Sequence, residues 1–236
     1  MQFPNTSWTV LAQATLNGDA DSQRALGEVC QLYWRPVYSA IRTLGTREED
    51  AEDLTQSFFR YLMINSTLKS AERGRGKFRT FLLTVLWRFV RDERAKRDAW
   101  KRGGLAEICS LEVTEDASLP SEAVPLAEAL DHEWALAIFE RVIEILRLEV
   151  VEARGAREWN VLREYLPGSL HVSPMADSAA ALGLSEGGFR SEVHRLRQRC
   201  REILRRELIT TVASPADLHD EMAYLGRVLR SQAKAG

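Results

Sequence analysis

The residues best suited to covalent chemistry are scattered along this sequence without any catalytic spacing. The three cysteines are odd in number and far apart, which argues against a disulfide framework. The four histidines show neither the CxxC nor the HExxH spacing of a metal site. The sequence also lacks a phosphate-binding glycine loop, a dinucleotide fingerprint and a nucleophile elbow. We therefore predict no enzyme, no metal and no cofactor.

The charged residues are segregated along the chain, and binding is the chemistry they favour. Residues 69–102 contain twelve Lys or Arg against four acids, residues 105–133 contain eight acids and no Lys or Arg, and residues 185–207 contain seven Arg against four acids. Blocks of alternating sign indicate separate binding surfaces, although solvated helix faces are the alternative. No secretory pattern begins the chain and no apolar run is long enough for a membrane span, so we expect a cytoplasmic protein.

The stretch TREEDAEDLTQSFFRYL, residues 46–62, predicts an amphipathic helix with an acidic outer face. Thr46 and Glu49 have capping-box spacing, and early carboxylates favour the positive end of the helix dipole. A well-capped surface helix and a docking face for a basic partner are both compatible with this pattern.

A second helix, predicted from about Phe78 to Lys101, has an outer face of basic residues with one aromatic among them. Arginines neutralise phosphates, and Trp87 offers a platform for an unstacked base. A basic solvated helix whose Trp87 covers the core edge is the alternative. With the preceding loop, the candidate DNA-binding residues are Arg75, Lys77, Arg79, Trp87, Arg88, Arg91, Arg94 and Arg97.

The stretch MADSAAALGLSEGGFRSEVHRLRQRC predicts a helix-turn-helix. Ala179 is followed by Gly183 in the turn and then by Ser185, a helix-capping residue. The second helix would fit a major groove, with its N-terminal residues at base edges. Its candidate DNA-binding residues are Ser185, Arg190, Ser191, His194, Arg195, Arg197, Gln198 and Arg201.

Helical periodicity occurs almost throughout, so we predict an all-α chain of two small helical domains joined by an acidic linker. The predicted divisions are a first domain over 1–102, an acidic linker over 103–131, a helix-turn-helix domain over 132–209 and a C-terminal helical extension over 210–236. A short helix after Asn5 is also predicted, and helical pattern is expected to resume after the linker at Trp134. The C-terminal extension is either a structural addition or a regulatory latch.

The ordered combination of DAEDLTQSFFRYL, FRTFLLTVLWRFVRDERAKR and ALGLSEGGFRSEVHRLRQRCREIL resembles bacterial RNA polymerase sigma factors of the extracytoplasmic-function type. The resemblance covers roughly residues 20–207. The opening FPNTSW and the closing TTVASPADLHDEM are similar to a subgroup with extensions at both ends.

The resemblance implies a first domain like sigma region 2 and a second like sigma region 4. The partners would be core RNA polymerase, through its β′ clamp and β subunits, and promoter DNA. The basic helix would melt and recognise the minus-ten element, and the helix-turn-helix would bind the minus-thirty-five element. An anti-sigma factor or a kinase is left open as a regulator. The residues carried over as polymerase contacts are Asp50, Glu52, Asp53, Gln56 and Phe59, with Met63 adding apolar surface.

Two other functions are compatible with these helices. A stand-alone helix-turn-helix regulator would bind its duplex site tightly without polymerase. A pure interaction module that titrates an anti-sigma partner would bind neither polymerase nor DNA strongly. The acidic linker is also open to two interpretations. It would either imitate a nucleic-acid polyanion in a polymerase channel or serve as a plain tether between the domains.

Overall fold

The computed structural model describes residues 20–64, 78–101, 120–169, 171–209, 211–212 and 214–235. Over these ranges the chain is all-α and contains no strand, as predicted. The helix expected after Asn5, the basic loop before Phe78 and most of the acidic linker lie outside the described residues. The helices are α1 (Ala20–Arg42), α2 (Glu48–Ile64), α3 (Phe78–Lys101), α4 (Val124–Arg154), α5 (Ala156–Leu162), α6 (Met175–Ala181), α7 (Glu186–Ile209) and α8 (Pro215–Ala235), with 3-10 turns at Ser121–Ala123 and Arg163–Tyr165.

The chain divides into two compact units. The first comprises residues 1–137 and 210–214, and the second comprises residues 138–209 and 215–236. Helix α4 contributes its N-terminal part to the first unit and the remainder to the second.

Helix α4 begins earlier than the sequence pattern indicated. It starts at Val124, inside the range assigned to the linker, whereas helical pattern was expected to resume only at Trp134. Leu126, Leu130 and Trp134 follow each other at four-residue spacing and are all buried. Pro125 suggested a linker, but it lies in the first helical turn, where the missing backbone N–H costs nothing.

The core of the first unit is built from aromatic side chains of α1, α2 and α3. The ring of Phe58 lies 5.5 Å from that of Phe89, and the Tyr61 ring lies at the same distance from Phe89. Tyr33 meets Phe78 edge to face at 5.2 Å. Tilted and edge-on contacts at these distances add to the stabilisation from area burial. The apolar stripes of α2 and α3 therefore face each other and leave their polar faces outward.

Helix α4 joins this unit through a buried cation. The Arg79 guanidinium forms an ion pair with Asp131 and lies over the Trp134 ring, 4.8 Å from its centroid. Arg79 is only 8% exposed, so both interactions act where water screens them little. At the opposite edge, Arg35 Nε lies 2.9 Å from Glu133 Oε2.

The second unit is organised around the inner face of α7. Phe189 and Ile203 are fully buried, and the Tyr165 ring packs edge to face on Phe189 at 5.1 Å. The Tyr165 hydroxyl donates to the Ser173 carbonyl at 2.8 Å and lies at the same distance from Ser178 Oγ. These contacts fix the segment that leads into the helix-turn-helix.

Helix α8 begins at Pro215, directly after Ser214, within the range predicted for the C-terminal helical extension. Leu218 and Leu225 on its inner face are buried, and helix α8 packs on α7 within the second unit.

We predict that Asp131→Ala lowers the free energy of unfolding by about 2 kcal/mol, because it leaves the buried Arg79 guanidinium without its carboxylate. Urea denaturation followed by circular dichroism measures the change. The matched control is Glu93→Ala, which removes the more exposed ion pair with Lys96 in the same unit and should cost less than about 1 kcal/mol. Equal losses in the two variants would contradict a special role for the Arg79 site.

Candidate docking and nucleic-acid interfaces

Cysteine and metal-ligating side chains are the first groups to consider for a chemical site. Cys200 is buried on the inner face of α7, and burial raises the pKa of its thiol. Cys109 lies outside the described residues. Within the described ranges, no His, Cys, Asp and Glu side chains gather into a group of three able to hold a metal. None of the helices in those ranges combines the length and the apolar character that a membrane span requires. The candidate sites that the sequence predicts are surfaces.

The first surface is the acidic face of α2. Glu52, Asp53 and Gln56 are exposed, as the helical pattern predicts. Asp50 is half-buried because its Oδ2 lies 3.6 Å from Arg97 Nη1 on α3. The structure thus presents three of the four polar docking candidates directly to solvent and ties the fourth loosely to the neighbouring helix.

Phe59, the apolar docking candidate, is not itself on the surface. It is 5% exposed because the Trp34 ring of α1 stacks on it, with centroids 5.7 Å apart and planes 13° from parallel. Trp34 and Met63 are 41% and 44% exposed. The apolar part of the acidic face is therefore formed by Trp34 and Met63, with Phe59 beneath.

The second surface is the outer face of α3. Arg91 and Arg94 are exposed, while Trp87 and Arg88 are partly covered. Arg91 pairs with its neighbour Asp92, at 3.1 Å from Nη2 to Oδ1. That contact is exposed and weak, so it would yield easily to a phosphate.

One residue predicted for this surface is placed differently, and two are not described. Arg75 and Lys77 lie outside the described residues. Arg79 points inward to Asp131 and Trp134, so its guanidinium is not on the exposed basic face. The sequence could not indicate this, because both partners belong to α4, more than fifty positions further along the chain. Arg79 is therefore left out of the DNA-binding set proposed below.

The third surface is the helix-turn-helix formed by α6 and α7. Gly183 in the turn has a φ of 67°, and Leu184 N donates to Ala179 O at 2.9 Å across it. Ser185 Oγ accepts a hydrogen bond from Gly188 N at 3.1 Å, which confirms its predicted capping role. Ala179 is 2% exposed, as tight packing of the two helices requires.

The outer face of α7 divides into free and committed side chains. His194, Gln198 and Arg201 are exposed at helical spacing, and no described residue pairs with their side chains. Arg190 is exposed and lies 3.6 Å from Glu186, a pair too open to hold it firmly. Ser191 Oγ donates to the Gly187 carbonyl one turn earlier.

Other arginines of α7 are held by the domain itself. Arg199 donates to Glu149 and Glu202, and these hydrogen bonds raise the pKa of its guanidinium. Arg197 Nε donates to the Tyr165 carbonyl at 2.8 Å. These two side chains position α7 within its unit.

Arg195 forms an ion pair with Glu192, which also accepts from Arg154 on α4. Burial raises the pKa of the Glu192 carboxyl, but the two guanidinium hydrogen bonds outweigh burial and hold that pKa below its usual range. Glu192 is therefore ionised at neutral pH, and its carboxylate holds the Arg195 side chain against the N-terminal half of α7.

Sequence reasoning missed three exposed residues of the first unit. Trp34 was not among the predicted docking residues, although a large aromatic directly before Arg35 was the available signal. Arg47 and Trp100 line the same groove, Arg47 from the position directly before α2 and Trp100 from the end of α3. Their proximity has no sequence signal, because more than fifty positions separate them.

The chain matches the Sigma-70 region 2 family model over residues 30–100. This segment contains most of α1, the loop that follows it, α2 and nearly all of α3. The match supports the interpretation of the first unit as a sigma region 2 domain, and it covers less than a third of the chain. No curated protein and no solved structure matches the chain.

Two glycines of the helix-turn-helix should respond in opposite directions to the same change. Gly183→Ala should lower the free energy of unfolding by about 1–2 kcal/mol, because an L side chain disfavours the left-handed φ of the turn. Gly187→Ala should raise it by about 0.5 kcal/mol, since its φ is helical and an added Cβ meets nothing within 4 Å. Thermal unfolding of the two full-length variants tests the pair. Stabilisation by Gly183→Ala would contradict the turn geometry.

Proposed function

We propose that this protein is a sigma factor of the extracytoplasmic-function type, which binds core RNA polymerase and directs promoter-specific initiation. The Sigma-70 region 2 match over residues 30–100 supports the coarser part of this proposal, a sigma-factor role in polymerase binding and promoter recognition. The subgroup, the helix-turn-helix function and the residue roles are proposals drawn from the sequence resemblance and the surfaces described above. The activity involves no covalent step, and the protein would act in the cytoplasm with its polymerase partner.

The acidic face of α2 is the proposed docking surface for the basic β′ clamp of polymerase. Glu52, Asp53 and Gln56 supply exposed charge and hydrogen-bonding groups, and Trp34 and Met63 supply adjacent apolar area. Complementary charge speeds encounter and fixes orientation, whereas a central aromatic contributes most of the affinity. An acidic face with an exposed tryptophan beside it suits a basic helical partner.

The basic face of α3 is the proposed contact with the melted minus-ten element. Arg88, Arg91, Arg94 and Arg97 would neutralise the strand backbone, and Trp87 would stack on an unpaired base. Arg75 and Lys77 would extend this face. Because α2 and α3 share one aromatic core, polymerase docking would hold the DNA-binding helix in a fixed orientation.

Helix α7 is the proposed minus-thirty-five recognition helix. Ser185 starts it, and Arg190, Ser191 and His194 occupy its N-terminal half, the part that approaches base edges in helix-turn-helix proteins. Arg195, Gln198 and Arg201 follow on the outer face, where backbone contacts are expected. Arg197 and Arg199 would act by positioning the helix.

The observation that carries the proposal is the pairing of opposite charge on one unit within the region 2 match. Helix α2 exposes carboxylates and α3 exposes guanidiniums, while Phe58 and Phe89 pack between them. A stand-alone DNA-binding regulator, the second candidate, has no use for an exposed acidic face beside its DNA-binding helix.

A direct test is binding of the full-length protein to purified bacterial core RNA polymerase. We expect the double variant Glu52→Ala, Asp53→Ala to bind at least tenfold more weakly, because two carboxylates facing a basic partner are lost. Trp34→Ala should weaken binding by about thirtyfold, the loss typical of a central aromatic contact. Titration of labelled protein with polymerase, followed by fluorescence anisotropy, measures both.

The matched control is Glu128→Ala, Glu152→Ala, which removes two exposed carboxylates from α4. It should bind as the wild type does. If polymerase does not bind the wild-type protein, the sigma-factor proposal fails and the stand-alone regulator becomes the better account. Equal losses in test and control variants would indicate general electrostatics in place of a docking face.

Promoter recognition by α7 is tested by selecting duplexes from a random library with the polymerase complex. We expect Arg190→Ala and His194→Ala to lose about tenfold discrimination at two or three adjacent base pairs while retaining overall affinity. Arg205→Ala, which changes an exposed arginine nearer the C-terminal end of the same helix, should keep the wild-type preference. Unchanged selection by the first two variants would remove them from the base-contacting set.

A further inference from the structure

A groove of about 630 Å³ lies in the first unit, where the turn after α1, the start of α2 and the last turns of α3 meet. Its floor is apolar and consists of Leu44, Leu54 and Val90. Its volume falls within the range of sites that hold small organic groups. It is separate from the exposed docking residues Glu52 and Gln56, and it contains residues that neither proposed surface uses.

The groove is held open by contacts between the elements that line it. Arg94 Nη2 donates to the Leu44 carbonyl at 2.7 Å, which ties α3 to the turn after α1. That turn is fixed in its own right, because Gly45 has a φ of 75° and donates to the Arg42 carbonyl. The arrangement aims the Arg94 guanidinium into the groove with further N–H groups available.

The groove is lined by basic side chains, some of which are paired with a carboxylate and some of which are not. Lys96 pairs with Glu93 at 2.8 Å, and Arg97 lies 3.6 Å from Asp50. Arg47 is exposed, and no described residue pairs with its side chain. Arg47 and Arg94 are thus two guanidiniums on the groove without a carboxylate partner among the described residues.

The end of the groove carries an aromatic ring that packing does not explain. Trp100 is 83% exposed, the largest exposure among the large apolar side chains described. An indole left in water at the rim of a cationic groove offers one face to a planar ring. Guanidiniums suit phosphate because they bind it with two parallel hydrogen bonds. Phosphate beside a planar ring is the chemistry of a nucleotide.

We infer that this groove binds one nucleotide of a single DNA strand, with Trp100 stacked on the base and Arg47 and Arg94 on the phosphate. Arg94 and Arg97 line the groove and also belong to the basic face of α3, and these shared residues favour a strand over a free nucleotide. The inference rests on the proposed function for the origin of the strand, but the nucleotide chemistry comes from the groove itself. Arg47 and Trp100 are the new binding residues.

The test is binding of full-length protein to a fluorescein-labelled single-stranded oligothymidylate of about eight nucleotides, a length typical of such sites. We expect Trp100→Ala and Arg47→Gln each to weaken binding about tenfold. Trp100→Phe should recover most of the loss because it restores a stacking face. Arg60→Gln, on the exposed face of α2 and outside the groove, is the matched arginine control and should bind normally.

Salt dependence separates a phosphate contact from a structural effect. Arg47→Gln should reduce the slope of log affinity against log salt by about 0.7, the value for one phosphate on a single strand. Trp100→Ala should weaken binding without changing the slope. Saturable binding by the wild type with these two signatures supports the inference, whereas absent binding or equal loss in Arg60→Gln overturns it.

Two competitors identify the occupant. The first is thymidine monophosphate. If it displaces the oligonucleotide at equal nucleotide concentration, the inference that the occupant is part of a strand is overturned and a free nucleotide is indicated. Displacement by an equally charged polyglutamate peptide would overturn the nucleotide chemistry altogether. Polymerase docking is measured separately with the α2 variants, so failure of the groove and failure of the sigma-factor proposal are distinguishable.

Discussion

The contact between the apolar stripes of α2 and α3 is the constraint on which the first unit depends. Phe58 and Phe89 lie 5.5 Å apart and the Tyr61 ring lies equally close to Phe89, so the two helices bury these aromatic residues against each other. Once those stripes are joined, the remaining faces must point outward. The outward face of α2 carries carboxylates and that of α3 carries guanidiniums. Packing of the two apolar stripes therefore exposes both charged faces at once.

This arrangement links the two proposed binding surfaces through a shared aromatic core and through one charge contact. Asp50 belongs to the acidic face and Arg97 to the basic face, and the two approach to 3.6 Å beside the groove. Both side chains are about half exposed, so their attraction is weak and salt-sensitive. Partners of opposite charge could therefore occupy the two faces without first breaking a strong internal contact. The rigid part of the link is the aromatic core.

Arginines that donate to an acceptor within their own unit differ in role from arginines that lie exposed on an outer surface. Arg79, Arg197 and Arg199 donate to acceptors within their own unit and hold helices in place. Arg47, Arg190 and Arg201 lie exposed on outer surfaces. Composition treats all of them alike, since each adds one positive charge. Their difference is a matter of which acceptor lies within reach, and planar guanidiniums with five donors suit both tasks.

The sequence by itself determined the all-α class, the helices α2, α3 and α8, the capped helix-turn-helix and the acidic stripe, because each depends on residues within a few turns of one another. Helical periodicity, a capping serine and a glycine in a turn are local features. Tertiary structure alone decided that Arg79 is buried, that Trp34 covers Phe59 and that Arg47 and Trp100 line one groove. Each of these brings together residues from separate parts of the chain. The start of α4 was obscured because it contains a proline, which a first helical turn tolerates. Local propensity acts along the chain, whereas burial is settled only when separate helices pack.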